Sequence, residues 1–202
     1  MRRVVIIAAA ASMLVSLIPD AASAKTLNIQ MLDYVFGPDP AKVTMGTDVT
    51  WSNNLKQNHN TTDLSALVLW DSGLVNYRQT FTYTFTSAGT YPYFCDLHER
   101  FGMFGTISVS DRALPPNGPI GTQFTVTVAT VDAPAGFVYD VQKKDPSDGV
   151  FKDWMIGVTT GSVVFDSTGA PPGTYAFRSR MRRTSDNGAV KYSPPVSVSV
   201  TP

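Results

Sequence analysis

Cysteine and histidine are scarce in this sequence, and their scarcity excludes several kinds of chemistry. The chain has 202 residues but only one cysteine and two histidines. One cysteine cannot form an intramolecular disulfide or a four-cysteine zinc or iron–sulfur site. Two histidines are too few for a three-histidine zinc site or a trinuclear copper cluster. Enzymes that depend on those centres are therefore excluded.

An excess of charge of one sign is also lacking. Lys and Arg together number 16, and so do Asp and Glu, so the formal net charge is zero. Nucleic-acid binding depends on many cations that neutralise phosphates, and this composition does not supply them.

Long apolar runs are absent except at the N-terminus. There, Arg2-Arg3 precedes the apolar run Val4–Ile18, and Ala22-Ser23-Ala24 provides a small-residue cleavage site. This order is typical of a secretory signal peptide. A retained membrane anchor is the alternative, but the run is short for a helix that crosses about 30 Å of hydrocarbon. The sequence predicts that residues 1–24 are a signal peptide and that the protein is exported, to the periplasm, the cell envelope or the medium.

Short alternating runs fill the remaining sequence. Phe81, Tyr83 and Phe85 alternate with threonines, and Val196, Val198 and Val200 alternate with polar residues near the C-terminus. Turn-forming pairs and triplets rich in Gly and Pro separate such runs. The pattern predicts an all-β protein built from antiparallel sandwiches.

A segment rich in proline and glycine divides the mature chain. Residues 113–121 read ALPPNGPIG, a composition that suits a short, semi-rigid spacer better than a sheet strand. We therefore expect a first domain at residues 25–112, a linker at 113–117 and a second domain at 118–202.

The chemistry-bearing residues of the first domain gather around one loop. In YPYFCDLHERFGMFG (residues 91–105), Cys95 is followed by His98 and then by Met103, and His59 lies 36 residues before the cysteine. A thiolate, two imidazoles and a weak axial thioether are the ligands of a blue, or type 1, copper site. The spacing favours such a site because one loop between two strands supplies three of the four ligands.

The first domain resembles the cupredoxins, the plastocyanin, pseudoazurin and amicyanin group of blue-copper proteins. The resemblance covers residues 27–110 and is carried by AKVTMGTDVTWSNN, HNTT and FTYTFTSAGTYPYFCDLH. It implies a Greek-key β-sandwich or barrel with one mononuclear copper held by His59, Cys95, His98 and Met103. It also implies that Asn60 ties the ligand loop to its neighbour and gives a backbone N–H to the Cys95 sulfur.

The implied function is electron transport between redox proteins, a donor and an acceptor. Once His59 and His98 are assigned, no histidine remains for a second copper centre, so we expect no enzymatic activity. His98 is the expected, partly exposed electron port, surrounded by Leu97, Phe101 and Phe104. Phe94 stands where plastocyanin-like loops usually have tyrosine, and no acidic docking patch is recognisable. The alternative function is an extracellular copper-binding or adhesion module that stores, senses or scavenges copper.

Residues 118–202 resemble a fibronectin type III or related immunoglobulin-like β-sandwich. FVYDVQKK, Trp154 in FKDWMIG, PPGTYAFRSRMRR and YSPPVSVSV carry the resemblance. Arg178, Arg180 and Arg182 alternate along one strand and are expected to share its outer face. That face is either simply solvated or a docking surface for an acidic partner, a cell-wall polymer or an anionic membrane.

Overall fold

Strands make up nearly all the regular structure of residues 25–202, the part of the chain that the computed structural model describes. The predicted signal peptide, residues 1–24, lies outside the described residues. Within residues 25–202, no helix has the length and apolar character needed to cross a membrane. A single short 3-10 helix in this range, Asp96–Phe101, follows the strand that ends at Phe94.

The first domain consists of two four-stranded sheets packed face to face. Its strands are β1 (Thr26–Met31), β2 (Phe36–Gly37), β3 (Ala41–Val43), β4 (Thr47–Asn53), β5 (Thr62–Asp63), β6 (Gln79–Phe85), β7 (Gly89–Phe94) and β8 (Phe104–Val109). One sheet has the order β2-β1-β4-β6 and the other β3-β8-β7-β5. The other pairs are antiparallel, as expected from the sequence, but each sheet also contains one parallel pair, β1 with β4 and β3 with β8.

Aromatic side chains fill the space between these two sheets. Strict alternation along β4 and β7 turns Trp51, Tyr91 and Tyr93 inward, and all three are fully buried. The Trp51 ring lies 5.3 Å from that of Tyr93 and 5.8 Å from that of Trp70. Burying such large rings stabilises a small domain by about 1.5–3 kcal/mol per side chain.

The second domain is another two-sheet sandwich. Its strands are β9 (Arg112–Leu114), β10 (Asn117–Pro119), β11 (Gln123–Thr127), β12 (Phe137–Lys144), β13 (Lys152–Val158), β14 (Ser162–Asp166), β15 (Gly173–Arg183) and β16 (Val196–Thr201). A three-stranded sheet has the order β14-β11-β9, and a five-stranded sheet has the order β10-β16-β15-β12-β13. Buried Phe124, Phe165 and Phe177 pack between them, and Trp154 adds a half-buried ring.

The segment expected to be a linker takes part in both sheets of the second domain. Ala113 is buried and pairs with Val126 in the three-stranded sheet. Four residues later, at Asn117, β10 begins and pairs in parallel with β16 in the five-stranded sheet. The two prolines between β9 and β10 lie where the chain changes sheets, a position that does not require their missing N–H groups. The expectation that these residues would not extend a strand was therefore wrong.

The two domains are in direct contact. Backbone hydrogen bonds join Ala88 N to Val128 O at 2.8 Å and Thr90 N to Lys191 O at 2.9 Å. The buried carboxylate of Asp111 accepts hydrogen bonds from the hydroxyls of Ser179, at 2.5 Å, and Ser193, at 2.6 Å.

The domain contact lies at the far end of the β7–β8 pair from the single cysteine. In this pair, Gly89 faces Val109 at one end and Phe94 faces Phe104 at the other. Five residues of strand separate the two ends by about 17 Å. Thr90 and Asp111 belong to the first end, whereas Cys95 directly follows the second. The second domain thus supports the first from the end opposite to the ligand loop.

Candidate metal centre

Four candidate ligands come from the loops at one end of the first domain. His59 lies in the segment between β4 and β5, where its backbone bridges to Val75. Cys95 follows β7 directly, His98 belongs to the 3-10 helix, and Met103 immediately precedes β8. All four are buried: His98 is 6% exposed and the other three are 0% exposed.

The three nitrogen and sulfur donors converge. Cys95 Sγ lies 3.4 Å from His98 Nδ1 and 4.0 Å from His59 Nδ1. All three ligand atoms lie within 4.8 Å of one another. An ion about 2.1 Å from each corner of such a triangle requires corners about 3.6 Å apart. The spacing of these atoms therefore fits one shared metal ion.

The surroundings of both imidazoles favour the neutral form of the ring. Burial is the main cause that lowers the pKa of His59; the charge of His98 lowers it further and that of Asp33 opposes the shift. Burial also lowers the pKa of His98, with a smaller contribution from Arg100. Because only neutral imidazole offers a lone pair to a metal, these shifts favour ligation at neutral pH.

The ligand loop is closed by backbone hydrogen bonds at its base. Cys95 N donates to Met103 O at 3.0 Å, and Met103 N donates to His98 O at 3.3 Å. Gly102 ends the 3-10 helix in the left-handed region, with φ of 80°. Glycine adopts this conformation without the penalty that a Cβ brings, so the loop can turn back toward β8.

Asn60 connects the segment of His59 to the ligand loop. Its side-chain oxygen accepts the Asp96 N–H at 2.8 Å, and its amide nitrogen donates to Asp96 Oδ2 at 2.6 Å and to Thr62 Oγ1 at 3.2 Å. Its backbone N–H donates to Cys95 Sγ at 3.5 Å. These are the two connections expected of Asn60 from the family resemblance.

His98 is more enclosed than the sequence suggested. A partly exposed port was predicted, but the ring is only 6% exposed. Tyr34 packs edge-on at 5.4 Å between ring centroids, and the Gln57 amide lies against His98 Nε2. Of the expected apolar neighbours, Phe101 has its ring centroid 6.4 Å from that of His98. Leu97, Phe101 and Phe104 are all between 43% and 50% exposed.

Sequence reasoning missed Gln57 and Tyr34. Gln57 precedes His59 by two residues, and Tyr34 lies between β1 and β2. Neither belongs to a recognisable motif, and each reaches His98 only because the fold brings its loop to the same end of the domain. The sequence could have pointed to Gln57 only through its closeness to His59 along the chain, and it contained no such indication for Tyr34.

The arginines of the second domain are engaged with neighbouring side chains. Arg182 Nε lies 2.7 Å from the buried Asp140 carboxylate, and Arg180 Nε lies 3.4 Å from it. The Arg178 and Arg180 guanidinium groups also stack on the Tyr192 ring at 4.7 and 4.6 Å. Much of the arginine charge is therefore engaged in contacts within the second domain, with Asp140 and Tyr192.

Comparisons with known proteins concern the first domain. Residues 23–110 match the family described as copper binding proteins, plastocyanin/azurin family. Plastocyanin of Scenedesmus fuscus is 34% identical over 37% of this chain and 86% of its own length. The oxidised form of an amicyanin variant is 24% identical, covering 42% of this chain and 81% of its own, with a TM-score of 0.39. A reduced Cu(I) amicyanin variant at pH 4 is 26% identical. The match covers 45% of this chain and 86% of the amicyanin, with a TM-score of 0.38.

Proposed function

Because the chain belongs to the plastocyanin/azurin family of copper-binding proteins, we propose that it is an exported one-electron carrier. The family and the His59, Cys95 and His98 donors, together with Met103, fit a single type 1 copper ion, which confirms the cofactor expected from the sequence. The all-β fold class, with a cupredoxin domain followed by a second β domain, is likewise confirmed.

The convergence of one sulfur and two imidazole nitrogens in a buried cluster carries this proposal. His59, Cys95 and His98, together with Met103, would hold the ion. When bound, copper supplies a one-electron change between Cu(II) and Cu(I) at such a site. All four side chains are buried from solvent, an arrangement that suits electron transfer through the protein, so we propose electron transfer rather than catalysis.

The apolar surface around His98 is the proposed docking site for redox partners. Leu97, Phe101, Phe104 and Tyr34, all at least 42% exposed, border the ligand end of the domain. An apolar rim of this kind suits short-lived contacts with a donor and then an acceptor protein. Export is proposed from the predicted signal peptide at residues 1–24.

The second domain is proposed to be a fibronectin type III-like spacer. Its three-stranded and five-stranded sheets support the resemblance seen in its sequence. Envelope contact through Arg178, Arg180 and Arg182 is proposed only as a secondary role, since these arginines already serve Asp140 and Tyr192. An Arg178→Ser/Arg180→Ser double variant that binds envelope material as the parent does would rule that role out, with Lys152→Ser as the control.

The absorption spectrum of the copper-loaded protein tests the carrier function. We expect an intense visible thiolate-to-copper band, absent in Cys95→Ser, and a reversible one-electron potential. Met103→Leu should keep the band but alter its position and the potential. Met181→Leu, which changes a buried methionine of the second domain, should alter neither. A parent protein without the band would contradict the proposal.

Copper storage or sensing is the competing function. A storage or scavenging module would take up and release copper readily but would exchange electrons slowly. Rapid, reversible reduction with retention of the metal in the presence of a chelator is the outcome that separates the carrier from the store.

A further inference from the structure

We propose that Gln57 is a positioning residue for His98: its amide oxygen accepts the imidazole Nε2–H and fixes the ring that closes the metal site. This inference rests on the proposed function and deepens it. The His98 ring that Gln57 positions is a proposed copper ligand, and it is the ligand nearest to the proposed docking surface. No motif identifies Gln57, and only its place against His98 reveals the role.

The two nitrogens of the His98 ring face different partners. Nδ1 lies 3.4 Å from Cys95 Sγ, on the side where the donors converge. Nε2 lies 2.5 Å from Gln57 Nε2, the nitrogen of the side-chain amide, on the opposite side. When Nδ1 gives its lone pair to a metal or to the Cys95 thiol proton, the ring proton resides on Nε2. Nε2 is then a donor and needs an acceptor.

Gln57 is able to supply that acceptor. Its amide carries one oxygen and one nitrogen, which exchange places when the group turns over. Two donors face to face would repel each other, so the amide presents its oxygen to a protonated Nε2. The contact is then an N–H···O hydrogen bond between Gln57 and His98.

The backbone of Gln57 is held from the domain core. Asn53, fully buried at the end of β4, donates its side-chain amide to Gln57 O at 2.7 Å and to Val75 O at 2.8 Å. Its side-chain oxygen accepts the Leu55 N–H at 2.9 Å. The short loop between Asn53 and His59 is therefore fixed in place, and the Gln57 side chain starts from a constrained backbone.

One loop thus controls both imidazoles, but in different ways. His59 is carried by the loop directly, and among the described residues its Nε2 has no hydrogen-bond partner. His98 belongs to another loop and is linked to this one through Gln57. Loss of the Gln57 amide should therefore affect His98 and leave His59 unchanged.

Nitrogen NMR of the metal-free protein tests the hydrogen bond without copper. With only two histidines in the chain, ¹⁵N-labelled histidine gives two side-chain spin systems. In the parent, we expect His98 as the Nε2–H tautomer with slow proton exchange. In Gln57→Leu, the exchange should accelerate at least about tenfold, as expected for the loss of one hydrogen bond. His59 serves as the internal reference.

Two further variants keep the test decisive. Gln57→Glu retains an acceptor oxygen and should restore slow exchange at His98 Nε2. Gln142→Leu, which removes a hydrogen-bonded glutamine of the second domain, should leave both histidines unchanged. Parent-like exchange at His98 in Gln57→Leu, or accelerated exchange in Gln57→Glu as well, would overturn the assignment.

Copper loading separates this inference from the proposed function. If the visible band is present in the parent and in Gln57→Leu while His98 exchange is unchanged, the role of Gln57 fails and the carrier function stands. If the parent lacks the band but His98 Nε2–H is protected by Gln57, the carrier function fails and the hydrogen bond stands. When both hold, Gln57→Leu should also change the rate of electron exchange with a small inorganic oxidant.

Discussion

The Tyr93 ring occupies the space that a side chain at Gly105 would fill. A Cβ placed on Gly105 would lie inside van der Waals distance of the Tyr93 Cζ, Oη and Cε1 atoms. The two residues face each other across the β7–β8 pair, two positions from Cys95 on one strand and two from Met103 on the other. The absence of a side chain at 105 therefore lets the tyrosine ring lie over that position.

Gly105→Ala should destabilise the first domain and displace the ligand loop. Tyr93 is fully buried, so its ring has no free space into which it can move. We therefore expect overpacking to lower the free energy of unfolding by about 1–3 kcal/mol. Denaturant unfolding of the metal-free protein measures this loss of stability. Gly102→Ala is the control, because a Cβ there meets no atom and only the positive φ costs about 1 kcal/mol. A smaller loss for Gly105→Ala than for Gly102→Ala would contradict the steric explanation.

Asn60→Ala should loosen the connection between the two ligand-bearing loops. The change leaves the Asp96 N–H and carboxylate without their partner, which should cost about 1–3 kcal/mol. Copper transfer to a chelator should become faster, while the visible band persists because the backbone N–H to Cys95 remains. The exposed neighbour Asn58 provides the control, and equal copper loss from Asn58→Ala and Asn60→Ala would refute the prediction.

Asp111 should make the stability of the protein depend on pH. Burial, only partly offset by hydrogen bonds from Ser179 and Ser193, raises its pKa from 3.8 to about 6. Between these values the folded protein binds more protons than the unfolded chain, so its stability should fall as pH rises from about 4 to 6. Two pKa units correspond to about 3 kcal/mol.

Asp111→Asn should remove this dependence. An amide cannot ionise, and it can still accept from one serine hydroxyl and donate to the other. The variant should therefore gain stability relative to the parent as pH rises from 4 to 7, as measured by denaturant unfolding of the metal-free proteins. Asp153→Asn, at an exposed position, should show no such trend. A parallel pH profile for the parent and Asp111→Asn would contradict the prediction.

Asp140→Ala should be among the most destabilising changes in the second domain. Burial raises the pKa of Asp140, but the hydrogen bonds from Arg182 and Gly157, with the charges of Arg182 and Arg180, outweigh it and lower the pKa. Removing the carboxylate takes away these hydrogen bonds and charge pairs. Because the Arg182 and Arg180 side chains are 16% and 32% exposed, water compensates part of the loss, and we expect a cost of about 1–3 kcal/mol. This contribution is present above the normal carboxyl range and disappears as pH falls through the lowered pKa.

Denaturant unfolding at neutral pH measures the effect of Asp140→Ala. The exposed Asp153→Ala is the matched control on the neighbouring strand, with an expected change within about 0.5 kcal/mol. If both variants lose the same small amount, the arginines of β15 are held by their aromatic neighbours rather than by Asp140.

The candidate ligands that the structure brings together could be picked out from the sequence because their chemistry is rare in the chain. One cysteine and two histidines leave little choice, and the loop spacing between alternating strands places three ligands together. The strands themselves followed from local alternation, as in β4 and β7. Both signals lie within a few residues of sequence, where side-chain chemistry and strand period are directly visible.

The features that sequence reasoning missed depend on distant partners. Ala113 forms a strand because β11 lies beside it, and no local sequence pattern predicts that pairing. His98 is enclosed because Tyr34 and Gln57 arrive from other loops. Arg182 turns to Asp140, which is 42 residues earlier. Such contacts are settled by tertiary packing, which overrides what proline content or an alternating charge pattern indicates.

The parallel pairing of β10 with β16 has a mechanical consequence. The chain comes from the copper domain through β9, enters β10 at Asn117 and leaves β16 at Thr201, and β10 and β16 run in the same direction. Tension between the copper domain and the C-terminus would therefore pull them in opposite senses along their length. The bonds from Ser199 N to Pro116 O and from Ile120 N to Thr201 O, both 3.0 Å, would be sheared together rather than broken one after another. We therefore expect the β10–β16 pair to resist extension along that line.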